Sequence, residues 1–247
     1  MLVTYFAKKN LKKYQEDRSF YKQYKNGDSI FGVFDGHGGE WVSDYAAEHA
    51  PLFFTNMRKE LKKDPQEALK VLFQKLVEKT KGFTCGSSAS IVLVRNNIAT
   101  IGVLGDSPVI IKTALRNIWK SPEHNVRTNE KECIAAIAKG GWISEVGYLF
   151  DRCQYQGMGL QMSRALGDKE LNNVLNREPE IFQVPINNQS WILVCSDGLI
   201  DPSHNDANAT TSIITAIDGT TIVAEQLVED ASILRKYDNS TAVLARV

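Results

Sequence analysis

The sequence predicts an α/β (α+β) chain built as a four-layer sandwich: two antiparallel β-sheets packed face to face and flanked by antiparallel helices. Three observations carry this. Amphipathic helical stretches come in pairs, short strand-like runs follow one another in meanders, and acidic residues sit where those runs end in turns. At 247 residues with 43% hydrophobic content, the chain can bury one full core, and we read residues 1–247 as a single domain.

Taken in order, Ile30 to Phe34 is an apolar strand that runs into Asp35-Gly36-His37-Gly38-Gly39. Beyond that turn Trp41, Val42, Tyr45, Ala46 and His49 recur at helical spacing, and Pro51 interrupts or re-enters the helix before Leu52 to Leu61. Asp64-Pro65-Gln66-Glu67 is a helix start, with Asp64 as cap and Pro65 in the first turn; Ala68, Leu69, Leu72, Phe73 and Leu76 form its apolar face. Strands are expected at 90–94, 98–104 and 109–112 as one antiparallel meander, the first two joined by the turn Arg95-Asn96-Asn97. Thr128 to Lys139 reads as a helix closed by Gly140-Gly141, and the aromatic stretch from Trp142 to Gly159 as loops with short strands. A second apolar strand, beginning at Trp191, ends in Asp197-Gly198. Val223, Ala224, Leu227, Val228, Ala231 and Leu234 mark a further helix, and 241–247 a closing strand after Asp238-Asn239.

The 29 basic and 29 acidic residues cancel, which argues against a nucleic-acid binder that works by neutralising phosphates over a broad face. Of two basic clusters, Arg58-Lys59 with Lys62-Lys63 reads as solvated surface, while Lys8, Lys9, Lys12 and Lys13 lie beside a motif of interest. The four cysteines are widely spaced with no Cys-x-x-Cys pair, so reduced structural thiols and a reducing compartment are expected. The first residues hold too short an apolar run for a signal peptide, and no stretch approaches the roughly 18 apolar residues of a membrane helix. The expectation is a soluble monomer of the cytoplasm, or of the nucleus, that binds neither nucleic acid nor membrane.

Asp35, Asp106, Asp197 and Asp238 all stand at strand-turn junctions, so the sandwich gathers them at one end. Several carboxylates without a matching set of His or Cys favour Mg²⁺ or Mn²⁺ over zinc, because hard cations take oxygen ligands. If one carboxylate bridges two cations ~3.5–4 Å apart, a water between them gives up its proton near neutral pH. Hydrolysis of phosphate esters is the common use of such a site.

The motifs extend the pattern along nearly the whole chain: Tyr14-Gln15-Glu16-Asp17, Phe34-Asp35-Gly36-His37-Gly38-Gly39, Gly86-Ser87-Ser88-Ala89, Gly105-Asp106-Ser107, Met162-Ser163-Arg164-Ala165-Leu166-Gly167-Asp168, Cys195-Ser196-Asp197-Gly198-Leu199-Ile200-Asp201 and Asp238-Asn239-Ser240-Thr241. In this order they resemble the metal-dependent protein serine/threonine phosphatases of type 2C. Each alone is weak; the ordered set is specific. The resemblance implies hydrolysis of phosphoserine and phosphothreonine in protein substrates by a water activated at a binuclear Mg²⁺ or Mn²⁺ site, with a third cation in some members. On that reading Asp35 looks like the bridging carboxylate, Asp197 and Asp238 like further ligands of the first metal, and Glu16 with the backbone carbonyl of Gly36 like ligands of the second. Asp17 would sit beside them and orient bound water, and Asp106 and Asp201, with Asp197, resemble the acids of the third site. His37 resembles the general acid that protonates the departing serine or threonine oxygen. No phosphoenzyme is required, and no Cys-x5-Arg loop surrounds any cysteine.

Two departures stand out. Where the family places an arginine ahead of the Glu-Asp pair this chain has Lys12, a point charge in place of a planar fork, so weaker ground-state phosphate binding is expected, with Lys13 and Arg18 as cations that could compensate. Ser121-Pro122-Glu123-His124 replaces the common Asp-His-x-Pro pattern, a change expected to stay within a structural loop. Ser163-Arg164 and Asp168 read as structural support outside the catalytic set, and His49, His124 and His204 as structure or surface. Two rival classes share the motifs: a partner-binding pseudophosphatase, which would ordinarily have lost metal acids that are all present here, and a metal-dependent hydrolase of a small phosphate ester, which would want a closed pocket.

Overall fold

The structure, a computed structural model, describes residues 1–153, 158–201 and 207–247. Tyr155 in the aromatic stretch and His204 lie outside the described residues. The chain begins with β1 (Leu2–Lys8), β2 (Arg18–Gln23), β3 (Ser29–Phe34) and the two-residue β4 (Gly36–His37), followed by α1 (Trp41–Asn56) and α2 (Pro65–Thr80). Next come β5 (Gly86–Ser87), β6 (Ala89–Arg95), β7 (Ile98–Leu104), β8 (Val109–Lys112) and β9 (Ile118–Lys120). The middle holds α3 (Glu130–Ala138), β10 (Gly141–Ile143), β11 (Leu149–Asp151) and β12 (Leu166–Gly167). The chain then passes through β13 (Glu180–Pro185), β14 (Trp191–Cys195), α4 (Ala207–Gly219), α5 (Ala224–Leu234) and β15 (Ser240–Arg246).

Two five-stranded sheets form, ordered β1-β15-β14-β8-β9 and β13-β7-β6-β3-β2, with neighbours antiparallel throughout. The period of two decides which face each residue serves. In β3, Phe31 and Val33 point between the sheets to meet Ile192, Val194 and Val243, whereas Ile30 and Phe34 point outward onto Val42 and Ala46 of α1 and Leu69 and Phe73 of α2. On the far side Trp191, Leu193 and Leu244 pack against Ile217 of α4 and Leu227 and Val228 of α5. Withdrawing each such side chain from water contributes roughly 1.5–3 kcal/mol. A one-residue slip of β3 would reverse all of them at once, so burial fixes the register. The result is the helix–sheet–sheet–helix sandwich that the sequence predicts.

Local chemistry sets several boundaries as expected. Asp64 accepts from the backbone amides of Gln66 and Glu67 at the start of α2, at 2.9 and 3.3 Å. Asn96 and Asn97 both take a left-handed backbone (φ 50° and 59°) in the β6–β7 hairpin. Three expectations need correction. Pro51 neither interrupts nor restarts α1, which runs through it to Asn56; Ala46, Ala50 and Phe54 clamp that helix into the core on either side of the proline, and tertiary packing overrides its preference. The helix does not reach Leu61, because Met57 turns extended (φ −66°, ψ 145°) and only a single 3₁₀ turn, Leu61–Lys63, follows. The three-strand meander is split: β6 and β7 pair in one sheet, while β8 crosses to pair with β14 in the other. The crossing turn, Gly105-Asp106-Ser107-Pro108, thereby bridges the two sheets at one end. All four cysteines are free, and among the described residues no helix is long and apolar enough to cross a membrane.

Candidate functional site

Strands β3 and β14 end side by side in opposite sheets, so the residues just beyond them meet: the backbone N–H of Asp197 lies 3.4 Å from Asp35 Oδ2. Asp35 is anchored by Ser88, whose amide donates to the Asp35 carbonyl at 2.9 Å and whose hydroxyl accepts from the Asp35 amide at 3.2 Å. Ser88 Oγ in turn lies 2.5 Å from Ser107 Oγ. Asp17 precedes β2; Ser196 Oγ donates to its Oδ2 at 2.8 Å, and its Oδ1 is buried without a hydrogen-bond partner. Asp106 accepts from Asn125 Nδ2 at 3.1 Å. Arg235 Nη1 donates to the Asp197 carbonyl at 2.6 Å and stands 3.8 Å from Asp201 Oδ2.

The N-terminal loop completes this end because β1 pairs with β15, placing Lys8 opposite Ser240 and the following residues beside Asp238. Asn239, which is buried, accepts from the Glu16 amide at 2.8 Å and donates to the carbonyls of Lys9 and Tyr14 at 3.0 and 3.1 Å. Glu16 Oε1 accepts from the Gly39 amide at 2.7 Å. Gly36 must be bare here: a Cβ would stand 2.4 Å from the Glu16 carbonyl oxygen. Lys12 Nζ pairs with Asp238 Oδ1 at 3.0 Å. Of the cations that could support it, Arg18 is committed to Asp44 and to the carbonyls of Gln15 and Asp17, and Lys13 lies over the Tyr14 ring.

Electrostatically the centre is overcrowded with one sign of charge. Withdrawal from solvent, then the charges of Asp197 and Asp17, push the Asp35 carboxyl well above its ordinary value; Asp197 is pushed up likewise by desolvation and then by Asp106 and Asp238. Burial raises Asp17 and Asp106 to about 6. The Asp106 carboxyl lies close enough to His37 for that ring's charge to offset part of the rise. Mutually repelling oxygens, one of them buried and unpaired, with no nitrogen or thiolate ligand in the group, make a donor set that fits hard divalent cations such as Mg²⁺ or Mn²⁺.

The expected residues thus converge, and four residues outside the expected site set hold them. Asn239 ties Glu16 to the closing strand. The Ser121 to His124 loop is structural, as expected: His124 exchanges hydrogen bonds with Gly105 through its amide and Nδ1, both at 3.1 Å, and the next residue, Asn125, holds Asp106. Asp168 lies against His37 Nε2, at 2.9 Å from Oδ1 and 3.0 Å from Oδ2. Arg164 is structural support as expected, paired with Glu132 and Glu180. His49 is structural too, stacked on Tyr45.

A second group, His124, Glu132 and Glu180, brings one ligand atom from each within 4.8 Å. Its chemistry does not suit a cation. His124 Nδ1 accepts from Gly105 N–H, so Nε2 carries the proton and offers no lone pair, and Arg164 already occupies both carboxylates.

Known proteins resemble this chain in sequence and in fold. A family model described as Protein phosphatase 2C matches residues 2–239. A rice (Oryza sativa subsp. japonica) protein, "Probable protein phosphatase 2C 56", is 30% identical over 226 residues, covering 87% of this chain and 61% of that protein. "Protein phosphatase fem-2" of Caenorhabditis elegans is 28% identical over 209 residues, covering 76% of this chain and 44% of that protein. This chain therefore spans less than two thirds of the length of these relatives. Among solved structures, a serine-threonine phosphatase 2C from Toxoplasma gondii superposes with a TM-score of 0.77 at 19% identity, covering 98% of this chain and 93% of that one. A C. elegans sex determining protein gives 0.78 at 22% identity, covering 98% and 64%. At these identities the solved structures speak for the fold.

Proposed function

This chain belongs to the protein phosphatase 2C family, and from that premise we propose that it hydrolyses phosphoserine and phosphothreonine esters in proteins, with residues 1–247 acting as one catalytic domain. The observation that supports it best is convergence: Asp17, Asp35, Asp106, Asp197, Asp201 and Asp238, drawn from both sheets, meet beside His37 at the end of the sandwich. Asp35, Asp197 and Asp238 would hold one divalent cation, Glu16 and the Gly36 carbonyl a second, with Asp35 between them, Asp17 beside them, and Asp106 and Asp201 available to a third. Bound Mg²⁺ or Mn²⁺ supplies the positive charge that activates the attacking water and offsets the phosphate's charge. Lys12, paired with Asp238 at 3.0 Å, stands at the rim to meet a phosphate oxygen. His37 donates a proton to the departing serine or threonine oxygen, which is a poor leaving group as an alkoxide. Asp35, Asp197 and Asp238 keep part of their surface in solvent. That openness suits a phosphorylated side chain presented on a protein better than an enclosed metabolite.

The test is phosphate release from a phosphothreonine peptide with Mg²⁺, Mn²⁺ or chelator, comparing the unaltered chain with Asp35→Asn and Asp197→Asn. Metal-dependent release lost in both variants supports the reading. A folded chain inert at every metal concentration would sink it.

A further inference from the structure

We propose that a lysine-lined cleft at the end of the sandwich opposite the acid cluster is a docking surface for an acidic, Asp- and Glu-rich segment of a partner protein. The cleft, about 580 Å³, opens between the turn that joins β2 to β3, the last turn of α1 and the loop that follows it. Lys25, Lys59, Lys62 and Lys63 line it together with Arg95, against one acid, Asp28. Lys25, Lys59 and Lys63 are exposed.

A buried ion pair builds the cleft. Asp28, only 5% exposed, accepts from Arg95 Nε with both oxygens at 3.0 Å and from Arg95 Nη2. The same guanidinium donates from Nη1 to the Lys62 carbonyl. One pair therefore ties the β2–β3 turn, which carries Lys25, to the loop that carries Lys59, Lys62 and Lys63. Because Asp28 and Arg95 cancel, the lysines are left in excess. Lys62 Nζ is partly committed, donating to the Thr55 carbonyl at 2.8 Å and lying 5.4 Å from the centre of the Phe54 ring. Lys25, Lys59 and Lys63 form no ion pair among the described residues. Of the nearby acids, Asp64 is turned to the start of α2, where it accepts from the amides of Gln66 and Glu67, and Glu60 is not among the residues that line the cleft.

The chemistry selects the occupant. Cations crowded together repel, and an incoming carboxylate relieves that repulsion. The uncommitted cations are ammoniums on flexible stems, which meet carboxylates as point charges; the planar fork of Arg95 is already closed upon Asp28. Tyr24 and Phe54, their ring centres 5.4 Å apart, give the cleft an apolar side on which the methylenes of a glutamate can lie. A concave site of this size takes a few side chains. Nucleic acid and anionic membranes call instead for a broad cationic face, and the 29 basic and 29 acidic residues of this chain balance.

Two strands set the distance to the acids. β3 begins just after Asp28 and ends just before Asp35, and β6 ends at Arg95 and begins just after Ser88, which anchors Asp35. At about 3.3 Å per residue the cleft lies roughly 20 Å from the acid cluster. A partner docked there leaves the other end of the sandwich open.

The experiment is fluorescence anisotropy of a labelled ten-residue Asp/Glu peptide, beside a Ser/Gly peptide of equal length, titrated with the unaltered chain and its variants in chelator at low salt. Chelator keeps cations out of the acid cluster, which then repels the peptide. Lys59→Glu with Lys63→Glu alters one wall of the cleft and Lys25→Glu the other; Lys79→Glu with Lys81→Glu makes an equal change of charge on exposed lysines outside it. We expect saturable binding of the acidic peptide alone, weakening as salt rises. Binding should be at least about tenfold weaker in the double cleft variant, weaker too in Lys25→Glu, and within about twofold of the unaltered chain in the control. All five positions are exposed, so every variant should melt close to the unaltered chain. No saturable binding, or equal losses in the cleft and control variants, would overturn the proposal. So would duplex DNA or phosphatidylserine vesicles that bind through the cleft more tightly than the peptide. The readout is binding alone, so its failure and that of the phosphatase reading are separate results.

Discussion

Asn239 shows how much of the site depends on a residue that performs no chemistry. Its buried amide accepts from Glu16 and donates to two carbonyls of the N-terminal loop, so Asn239→Ala removes the side-chain partner of three half-buried backbone groups. A fully buried group left without its partner costs about 1–3 kcal/mol, and less where water can take the partner's place. Urea unfolding should show a loss of roughly 2–4 kcal/mol, and titration calorimetry a weaker Mn²⁺ affinity, since Glu16 loses its tether. Lys12 sits in the same loop. Lys12→Arg restores a planar fork at the phosphate, and a gain of about 1 kcal/mol, near fivefold in KM for a phosphothreonine peptide, is expected from steady-state kinetics. The acids were legible in the sequence because each ends a strand or begins one, and the motif order told which turns matter. Asn239, Asn125 and Asp168 were not, because a polar residue after a turn looks the same whether its amide faces water or stitches two distant loops. Their roles exist only once the chain ends are side by side.

At the level of elements, α3 is held to β13 by charge rather than by apolar packing alone. Arg164 reaches Glu132 of α3, Glu180 of β13 and the Glu178 carbonyl, and Ser163 adds a hydrogen bond to Glu132. Removing one member of a buried pair leaves the other uncompensated, typically at 3–5 kcal/mol. Arg164→Ala is therefore expected to lower stability by about that amount in chemical denaturation, and to expose the α3 region first in hydrogen exchange. Elements whose apolar rhythm is strong, such as β3, α2, β7 and α5, could be read directly from the sequence. Others could not. β1 alternates only weakly between exposed and half-buried residues, being an edge strand. α4 is rich in Thr and Ile, which disfavour helix in isolation, and exists because its apolar residues cover the outer sheet. β8 was recognised as a strand but assigned to the wrong sheet, since periodicity says nothing about partners.

For the molecule as a whole, crowding the acids together at one end costs stability. Asp17 and Asp106 have folded values near 6 against an ordinary 3.8. Below pH ~4 folded and unfolded chains both hold these protons; between about 4 and 6 the unfolded chain has lost them while the folded chain keeps them, so stability falls across that window and levels off above it. His124, held near 4 by burial, acts in the opposite sense between pH 6.5 and 4, but it is one group against four raised carboxyls. In chelator, the melting temperature is expected to be lower at pH 7.5 than at pH 5, and Mn²⁺ at pH 7.5 should restore it. Asp35→Asn, which removes one of the crowded charges, should melt several degrees higher than the unaltered chain in chelator at pH 7.5, at roughly 2–4 °C per kcal/mol for this size, and should lose the Mn²⁺ response. The pairing of β1 with β15 has one more consequence, for the order of events during synthesis. β1 is synthesised well before β15, with which it hydrogen-bonds, and Glu16 and Lys12 meet Asn239 and Asp238 beside that pairing. A nascent chain can fold its α1–α2 half while β15 is still to be made, and until β15 arrives the N-terminal loop has no Asp238 or Asn239 to close upon.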